Sequence, residues 1–420
     1  MNIVAGSDDA FALPMGVTLY SALKNLAPGN AVSLYIIDGG IREQNRRRLT
    51  EVLDMQHVQV QLEWVEPNLS QLNGLKPAAW NTQATYLRLL IPELLPEDCQ
   101  QAIYLDSDLV VEKDLGQLWD EATDDFPVYG VPNFDPPSFG YKVEKNPIYA
   151  SFGLSPDTPF CNTGMLLMNL KRWRAERIAA KALDVARKVS LPEGDQDAIN
   201  IVVAGAWGLL DPKWNVQLSG VEAYGRFLKR FSDLSELETQ KTCAELLRDP
   251  YIIHFTLRIK PWHFICREPA RGRFFYYLKE SHWFPDIGNM TSLVEHTWKR
   301  QNEHDPWMKQ LYVAKQDLKT LIPPGEKIIL VDDSTWFSEV VDGWDTFPFL
   351  EQHGQYWGPP ADDKVAITEF ERMRESGVKF IVFAWPAFWW LDHYVDFHDY
   401  LSSKFRCLLK NSRLVAFDLR

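Results

Sequence analysis

Three strand-like segments separated by two amphipathic helical ones open this chain, and that alternation most narrows the folds available to it. Residues 2–6 read as a strand, and Leu19, Ala22, Leu23 and Leu26 then fall on one helical face after Pro14. A second strand is expected over 32–38. Gly39-Gly40 turns the chain into a helix bearing Arg46, Arg47 and Arg48, and the alternation from Val58 to Glu66 predicts a third strand. After a helix around 85–95, a fourth apolar strand at 102–105 runs directly into Asp106-Ser107-Asp108. A β-α-β-α-β opening predicts a parallel sheet. It also sets both carboxylates at the C-terminal edge of a buried strand, where open α/β sheets bind ligands. Farther along, 164–169 and 251–256 read as strands, and Ile178, Ala182, Val185, Ala186 and Val189 form one helix face. Pro323-Pro324-Gly325 then punctuates the chain. A second alternation follows: strand 327–331, a helix after Asp362-Asp363 ending at Gly377, strand 379–384, a helix near 392–404 and a hairpin over 407–419.

Composition removes several classes of function. The 420 residues carry a formal net charge of −13, which disfavours a nucleic-acid module that must neutralise phosphates. The apolar run from Ile381 to Leu391 falls short of the ~20 residues a bilayer requires and contains Pro386, so no transmembrane segment is expected. A strand-like start without a basic leader argues against export, and the expected location is cytoplasmic. Five scattered cysteines without a Cys-x-x-Cys pair read as reduced, structural thiols. The 16 Trp, 15 Tyr and 23 Phe suit either core packing or the faces of sugar rings.

Four motifs carry candidate chemistry. In Tyr104 to Val111, Asp106 and Asp108 at i and i+2 can both reach a hard divalent cation, or can be ordinary turn carboxylates. In Ile252 to Trp262, His254 offers an imidazole ligand and Lys260 a positive charge for phosphate. The alternative is a structural histidine. In Gly194 to Val202, Asp195 either caps a helix or, with Gln196, recognises sugar hydroxyls. Asn162 precedes a glycine at the mouth of a strand and reads as a turn or a ligand contact.

Taken in order, SDD, DGG, TYLRL, YLDSDLVV, CNTGMLLMNLKRW, DQD, LDPKWN and HFTLRIKPW resemble glycosyltransferase family 8 over roughly residues 1–283. The resemblance implies a GT-A fold, a mixed and mainly parallel α/β sheet flanked by helices, and retaining transfer of galactose or glucose from a UDP-sugar. It implies Mn²⁺, with Mg²⁺ as the alternative, held by Asp106, Asp108 and His254. Gly6, Asp8 and Asp9 would border the nucleotide, Asp8 reading the uracil edge. Arg88, Asn162 and Asp195 would line the donor, and Lys260 would sit on the diphosphate. Asp195, Gln196 and Arg88 form the implied catalytic group, with the Gln196 carbonyl on the face opposite the leaving group. The implied acceptor is a glycan or lipid-linked saccharide. Surface polysaccharide or lipopolysaccharide synthesis is the matching setting, with peripheral contact at the inner face of the membrane.

One departure stands out: Leu257 follows His254 where the family often has a glycine that lets backbone N–H groups approach the diphosphate. It motivates an alternative reading as a weakly catalytic or purely binding scaffold, and a nucleotide-sugar hydrolase or phosphotransferase would share the paired carboxylates. The expected organisation is a catalytic domain at 1–283, a helical connector at 284–321 and a small C-terminal α/β domain at 322–420. In the last, the Trp385 to Tyr394 run serves packing or forms an acceptor platform.

Overall fold

The computed structural model describes residues 1–75, 83–121, 123–140, 142, 148–231, 235–256, 260–262, 266, 268, 270–283, 306–333, 335–336, 343–352 and 355–420. It divides into two compact units, Met1–Arg258 with Glu280–Trp283, and Ile259–Lys279 with Phe284–Arg420.

The first unit is built on β1 (Asn2–Ser7), β2 (Ala31–Asp38), β3 (Gln59–Val65), β4 (Gln101–Leu105), β5 (Leu109–Val111), β6 (Val128–Pro132), β7 (Cys161–Asn169), β8 (Gly208–Leu209), β9 (Val216–Gln217) and β10 (Ile252–His254). Seven of these form one sheet in the order β3-β2-β1-β4-β7-β6-β8. The β1, β2 and β3 pairings and β1 with β4 are parallel, as the opening alternation predicts, whereas β7 runs antiparallel to both β4 and β6. The sheet is therefore mixed and mainly parallel, the GT-A arrangement. β1 leads to β2 on one side and pairs with β4 on the other, so strand order reverses between β1 and β4. That reversal opens a crevice beyond their C-terminal ends. β7 is buried along its whole length, and its middle, residues 164–168, is an apolar run without alternation between polar ends. Helices Leu87–Leu94, Ile178–Lys188 and Asp195–Val203 pack Leu90, Ile91, Ala182, Leu183, Ala198 and Ile199 into one core with Tyr104, Leu166 and Met168 of the sheet.

A second, three-stranded sheet, β5-β10-β9, stands beside the first. The strand expected over 251–256 contributes only three residues to it, and its register sets His254 opposite Leu109, the residue after Asp108.

The second unit contains β11 (Lys327–Val331), β12 (Asp345–Pro348), β13 (Glu351–Gln352), β14 (Gln355–Tyr356), β15 (Phe380–Ala384), β16 (Arg406–Lys410) and β17 (Leu414–Asp418). Five of these form a sheet in the order β12-β11-β15-β17-β16. Ile329, Val331, Ile381 and Phe383 face one core, and Ile328, Leu330, Phe380 and Val382 face another, the two-faced burial of a three-layer domain. The helix expected near 392–404 is two, Trp389–His393 and Val395–Lys404, broken at Tyr394. Trp390, Leu391 and Tyr394 pack into their own unit's core, while Trp389 is 42% exposed. Asp333, at the end of β11, accepts from Trp389 Nε1 at 2.7 Å, Trp390 Nε1 at 2.9 Å and the Tyr356 hydroxyl at 3.0 Å.

Candidate active site

The crevice beyond β1 and β4 collects most of the residues singled out by sequence. Asp106 follows β4 directly, and its backbone N–H donates to the Gly164 carbonyl at 2.8 Å, locking the turn against β7. Two residues on, the Phe255 N–H donates to the Asp108 carbonyl at 3.1 Å, so the segment carrying His254 is stitched to the carboxylate loop. One ligand atom from each of Asp106, Asp108 and His254 lies within 4.8 Å of the others, and His254 Nε2 is 3.4 Å from Asp108 Oδ1. Two carboxylates and an imidazole suit a divalent cation of intermediate hardness.

Buried Arg88 ties this cluster to the helix that begins at Asp195. Its Nη2 lies 2.8 Å from Asp106 Oδ1, its Nε 2.8 Å from Asp195 Oδ2, and its Nη1 donates to the Thr163 carbonyl at 2.6 Å. The Tyr104 hydroxyl also donates to Asp106 Oδ1, at 2.5 Å. Burial pushes the Asp106 carboxyl up against the pull of Arg88, and likewise pushes Asp195 up to about 6. Burial works against the Arg88 charge too, but Asp106 and then Asp195 outweigh it and raise its pKa. The three groups are mutually dependent. Asp106, Asp108 and Asp195 against the single guanidinium leave two formal negative charges in a partly buried site, the charge that a divalent cation cancels.

Gln196 follows Asp195 on the same helix. Its Oε1 accepts from the Thr163 backbone N–H at 3.0 Å, and its Nε2 donates to Glu193, so the amide is oriented from both ends. Asp197, the last residue of DQD, faces the other way: it accepts from the Tyr149 hydroxyl at 2.8 Å and lies 3.1 Å from the Lys142 ammonium, a buried structural pair.

At the end of β1, Asp8 caps the short turn Asp9–Phe11 by accepting from the Ala10 N–H at 3.1 Å. Asp9 is committed elsewhere. Its Oδ1 accepts from the Arg42 N–H and Asn45 Nδ2, each at 2.8 Å, and its Oδ2 lies 2.7 Å from Arg42 Nε, which anchors the helix Glu43–Val52. Asn162 is buried between strands, and its Oδ1 accepts from the Gly164 N–H at 3.0 Å. Lys260 belongs to the second unit, where its charge opposes the burial that pushes Glu268 up to about 7. Leu257 lies outside the described residues.

Gly164 and Asn215 escape attention in sequence, although the motifs NTG and LDPKWN contain them. A Cβ on Gly164 would stand 2.1 Å from His254 Cε1, so the imidazole occupies the place of the missing side chain. Asn215 Oδ1 lies 2.9 Å from His254 Nδ1. Asn133 and Glu193 carry no sequence signal of their own.

Comparison with known proteins agrees with this geometry. The family described as Glycosyl transferase family 8 matches residues 2–266. General stress protein A of Bacillus subtilis (strain 168) is 28% identical over 294 residues, 69% of this chain and 96% of that protein. The lipopolysaccharide 1,3-galactosyltransferase of Salmonella typhimurium (strain LT2) is 23% identical over 294 residues, 67% of this chain and 79% of that protein. Among solved structures, the galactosyltransferase LgtC in complex with donor and acceptor sugar analogues superposes with a TM-score of 0.53 at 22% identity, covering 67% of this chain and 96% of that one. The fold is shared with LgtC.

Proposed function

The chain belongs to glycosyl transferase family 8, and on that premise we propose that it is a metal-dependent, retaining hexosyltransferase. It transfers galactose or glucose from a UDP-sugar to a hydroxyl of a glycan or lipid-linked saccharide, at the cytoplasmic face of a membrane. The observation that carries this reading is the convergence of Asp106, Asp108 and His254, with two uncompensated negative charges, where strand order reverses.

Asp106, Asp108 and His254 would hold Mn²⁺, or Mg²⁺ in its place, and the bound ion would supply Lewis-acid neutralisation of the diphosphate leaving group. Gly6 and Asp8 border the nucleotide, Asp8 accepting from the uracil N–H, while Asp9 braces the neighbouring turn through Arg42. Arg88 holds Asp195 in place to accept a sugar hydroxyl. Gln196, aimed by Glu193 and Thr163, turns a carbonyl dipole toward positive charge growing at the anomeric carbon. An amide is a poor covalent nucleophile, so its part is electrostatic. The Salmonella relative, named for galactosyl transfer to lipopolysaccharide, supports both the hexose and the surface-glycan setting.

The test is a panel of UDP-sugars with Mn²⁺, reading UDP release in the presence and absence of saccharide acceptors. Asp106→Ala and Asp108→Ala are each expected to lower the rate by about 100-fold or more. Metal-dependent UDP binding that is unchanged in both variants would reject the ligand assignment. Tight UDP binding without turnover of any donor would point to a binding scaffold instead.

A further inference from the structure

Three buried asparagines from three separate segments form a continuous chain that ends on the imidazole of His254. Asn133 Nδ2 donates to the Pro136 carbonyl at 3.2 Å, and Asn133 Oδ1 accepts from Asn162 Nδ2 at 3.0 Å. Asn162 Oδ1 accepts from Asn215 Nδ2 at 2.9 Å, and Asn215 Oδ1 lies 2.9 Å from His254 Nδ1. Asn133, Asn162, Asn215 and His254 are 7%, 4%, 0% and 5% exposed, so water has little access with which to satisfy a misdirected amide.

The chain has a direction, and two backbone groups impose it. The Pro136 carbonyl can only accept, which turns the Asn133 amide so that its oxygen faces Asn162. The Gly164 N–H can only donate, at 3.0 Å to Asn162 Oδ1, which independently orients the second amide. Reversing Asn162 would set its NH₂ against the Gly164 N–H and the Asn215 NH₂. With Asn162 so turned, Asn215 must use its NH₂ toward Asn162 and its oxygen toward the histidine. A carbonyl oxygen facing Nδ1 requires a proton on Nδ1, and a neutral imidazole then has a bare lone pair on Nε2. Nε2 is the ring nitrogen 3.4 Å from Asp108 Oδ1.

We propose that Asn133, Asn162 and Asn215 are positioning residues that hold His254 as the Nδ1–H tautomer, so that Nε2 is ready to bind the cation shared with Asp106 and Asp108. This rests on the metal site proposed above. It gives Asn162 a role beside the one expected at the donor sugar: three of its four hydrogen-bonding positions serve the relay and the turn, and one amide N–H remains for a donor hydroxyl. It also accounts for the amide at Asn215, since a leucine of similar size would leave the Nδ1–H buried without an acceptor.

The decisive measurement needs neither metal nor turnover. In the metal-free wild-type protein with ¹⁵N-labelled histidine, long-range ¹H–¹⁵N correlations recorded at a pH where the spectrum shows a neutral ring should report His254 protonated at Nδ1 and bare at Nε2, which faces the acceptor Asp108 Oδ1. A neutral ring protonated at Nε2 instead would overturn the proposal. Asn215→Leu should then lose the single-tautomer pattern and bind Mn²⁺ about 10–100-fold more weakly in a titration. Asn215→Asp, which retains an oxygen facing Nδ1, should keep the pattern. Mn²⁺ affinity unchanged in Asn215→Leu would likewise overturn the proposal. Wild-type protein that shows the Nδ1–H tautomer but binds no Mn²⁺, with or without UDP, would sink the metal assignment while upholding the relay's effect on the ring.

Discussion

At Gly164 an imidazole fills the space that a side chain would claim, and this sets a sharp limit on substitution. In Gly164→Ala the new methyl would meet His254 Cε1 at 2.1 Å, so the ring or β7 must move. The variant should lose about 1–3 kcal/mol of stability, as overpacked cores do. It should also bind Mn²⁺ at least about tenfold more weakly, because the displaced ring leaves Asn215. Denaturant unfolding and a metal titration check the two effects separately. Glu268 gives a pH-dependent counterpart in the second unit. Burial raises its carboxyl from 4.5 to about 7, and Lys260 only partly opposes that. Because the folded pKa lies above the unfolded one, stability is highest where Glu268 is protonated in both states. It falls as pH rises from about 4.5 to 7, by up to about 3 kcal/mol, and is level above. Glu268→Gln should therefore match the wild type near pH 4 and exceed it near pH 8, as urea unfolding at the two values would reveal. Equal stability at pH 8 would contradict the buried charge. Asp106, Asp108 and His254 could be picked out by residue type and by the strands they end. Gly164, Asn133 and Asn215 could not, because their importance lies in what touches them across the sheet and no local pattern encodes that contact.

Among elements, the longer apolar or alternating segments were the readable ones. Strands β1, β2, β4, β11 and β15 and the helix Ile178–Lys188 lie where periodicity puts them, within a residue or two. The shortest pieces were not readable: β8 and β9 have two residues each, too few for any period to register, while β10 lies inside the strand expected over 251–256 but keeps only three of its residues. The helix Glu236–Arg248 was missed although Ser235 and Glu238 form a capping box at its start. In the second unit, the Asp333 carboxylate joins the end of β11 to β14 and to the helix Trp389–His393, receiving a hydrogen bond from Tyr356, Trp389 and Trp390. Asp333→Ala would strip the acceptor from two indoles and a phenol at once. The expected loss is about 2–4 kcal/mol, since the orphaned donors of Trp390 and Tyr356 are buried and each carries a desolvation cost, while half-exposed Trp389 can turn to water. A fall smaller than about 1 kcal/mol in chemical unfolding would mean that these donors find other partners.

For the whole molecule, each compact unit has hydrophobic clusters of its own among the described residues. Calorimetry should therefore resolve two transitions. UDP with Mn²⁺ should raise one of them by mass action, and Asp333→Ala should lower the other. A single transition shifted by both would show that the units unfold together. The formal charge of −13 opposes a diphosphate ligand at long range. On the proposed function, concentrating three carboxylates around one guanidinium would turn that surplus into the attraction for a cation on which such a ligand can rest. The sequence marks a boundary at Pro323-Pro324-Gly325, whereas residues 259–279 and 284–420 group into one compact unit, a partition that no composition shift marks.

The register of β10 against β5 has a consequence for synthesis. Asp106 and Asp108 leave the ribosome on the order of 150 residues before His254, and a contact that distant in sequence forms late. A nascent chain can fold β1 to β4 and display both carboxylates beside Arg88 while the imidazole of His254 is still untranslated. Chains terminated between the two would carry an open, strongly acidic crevice without its imidazole, the vacated space at Gly164 unfilled. The third ligand of the proposed centre is thus the last of the three to be made.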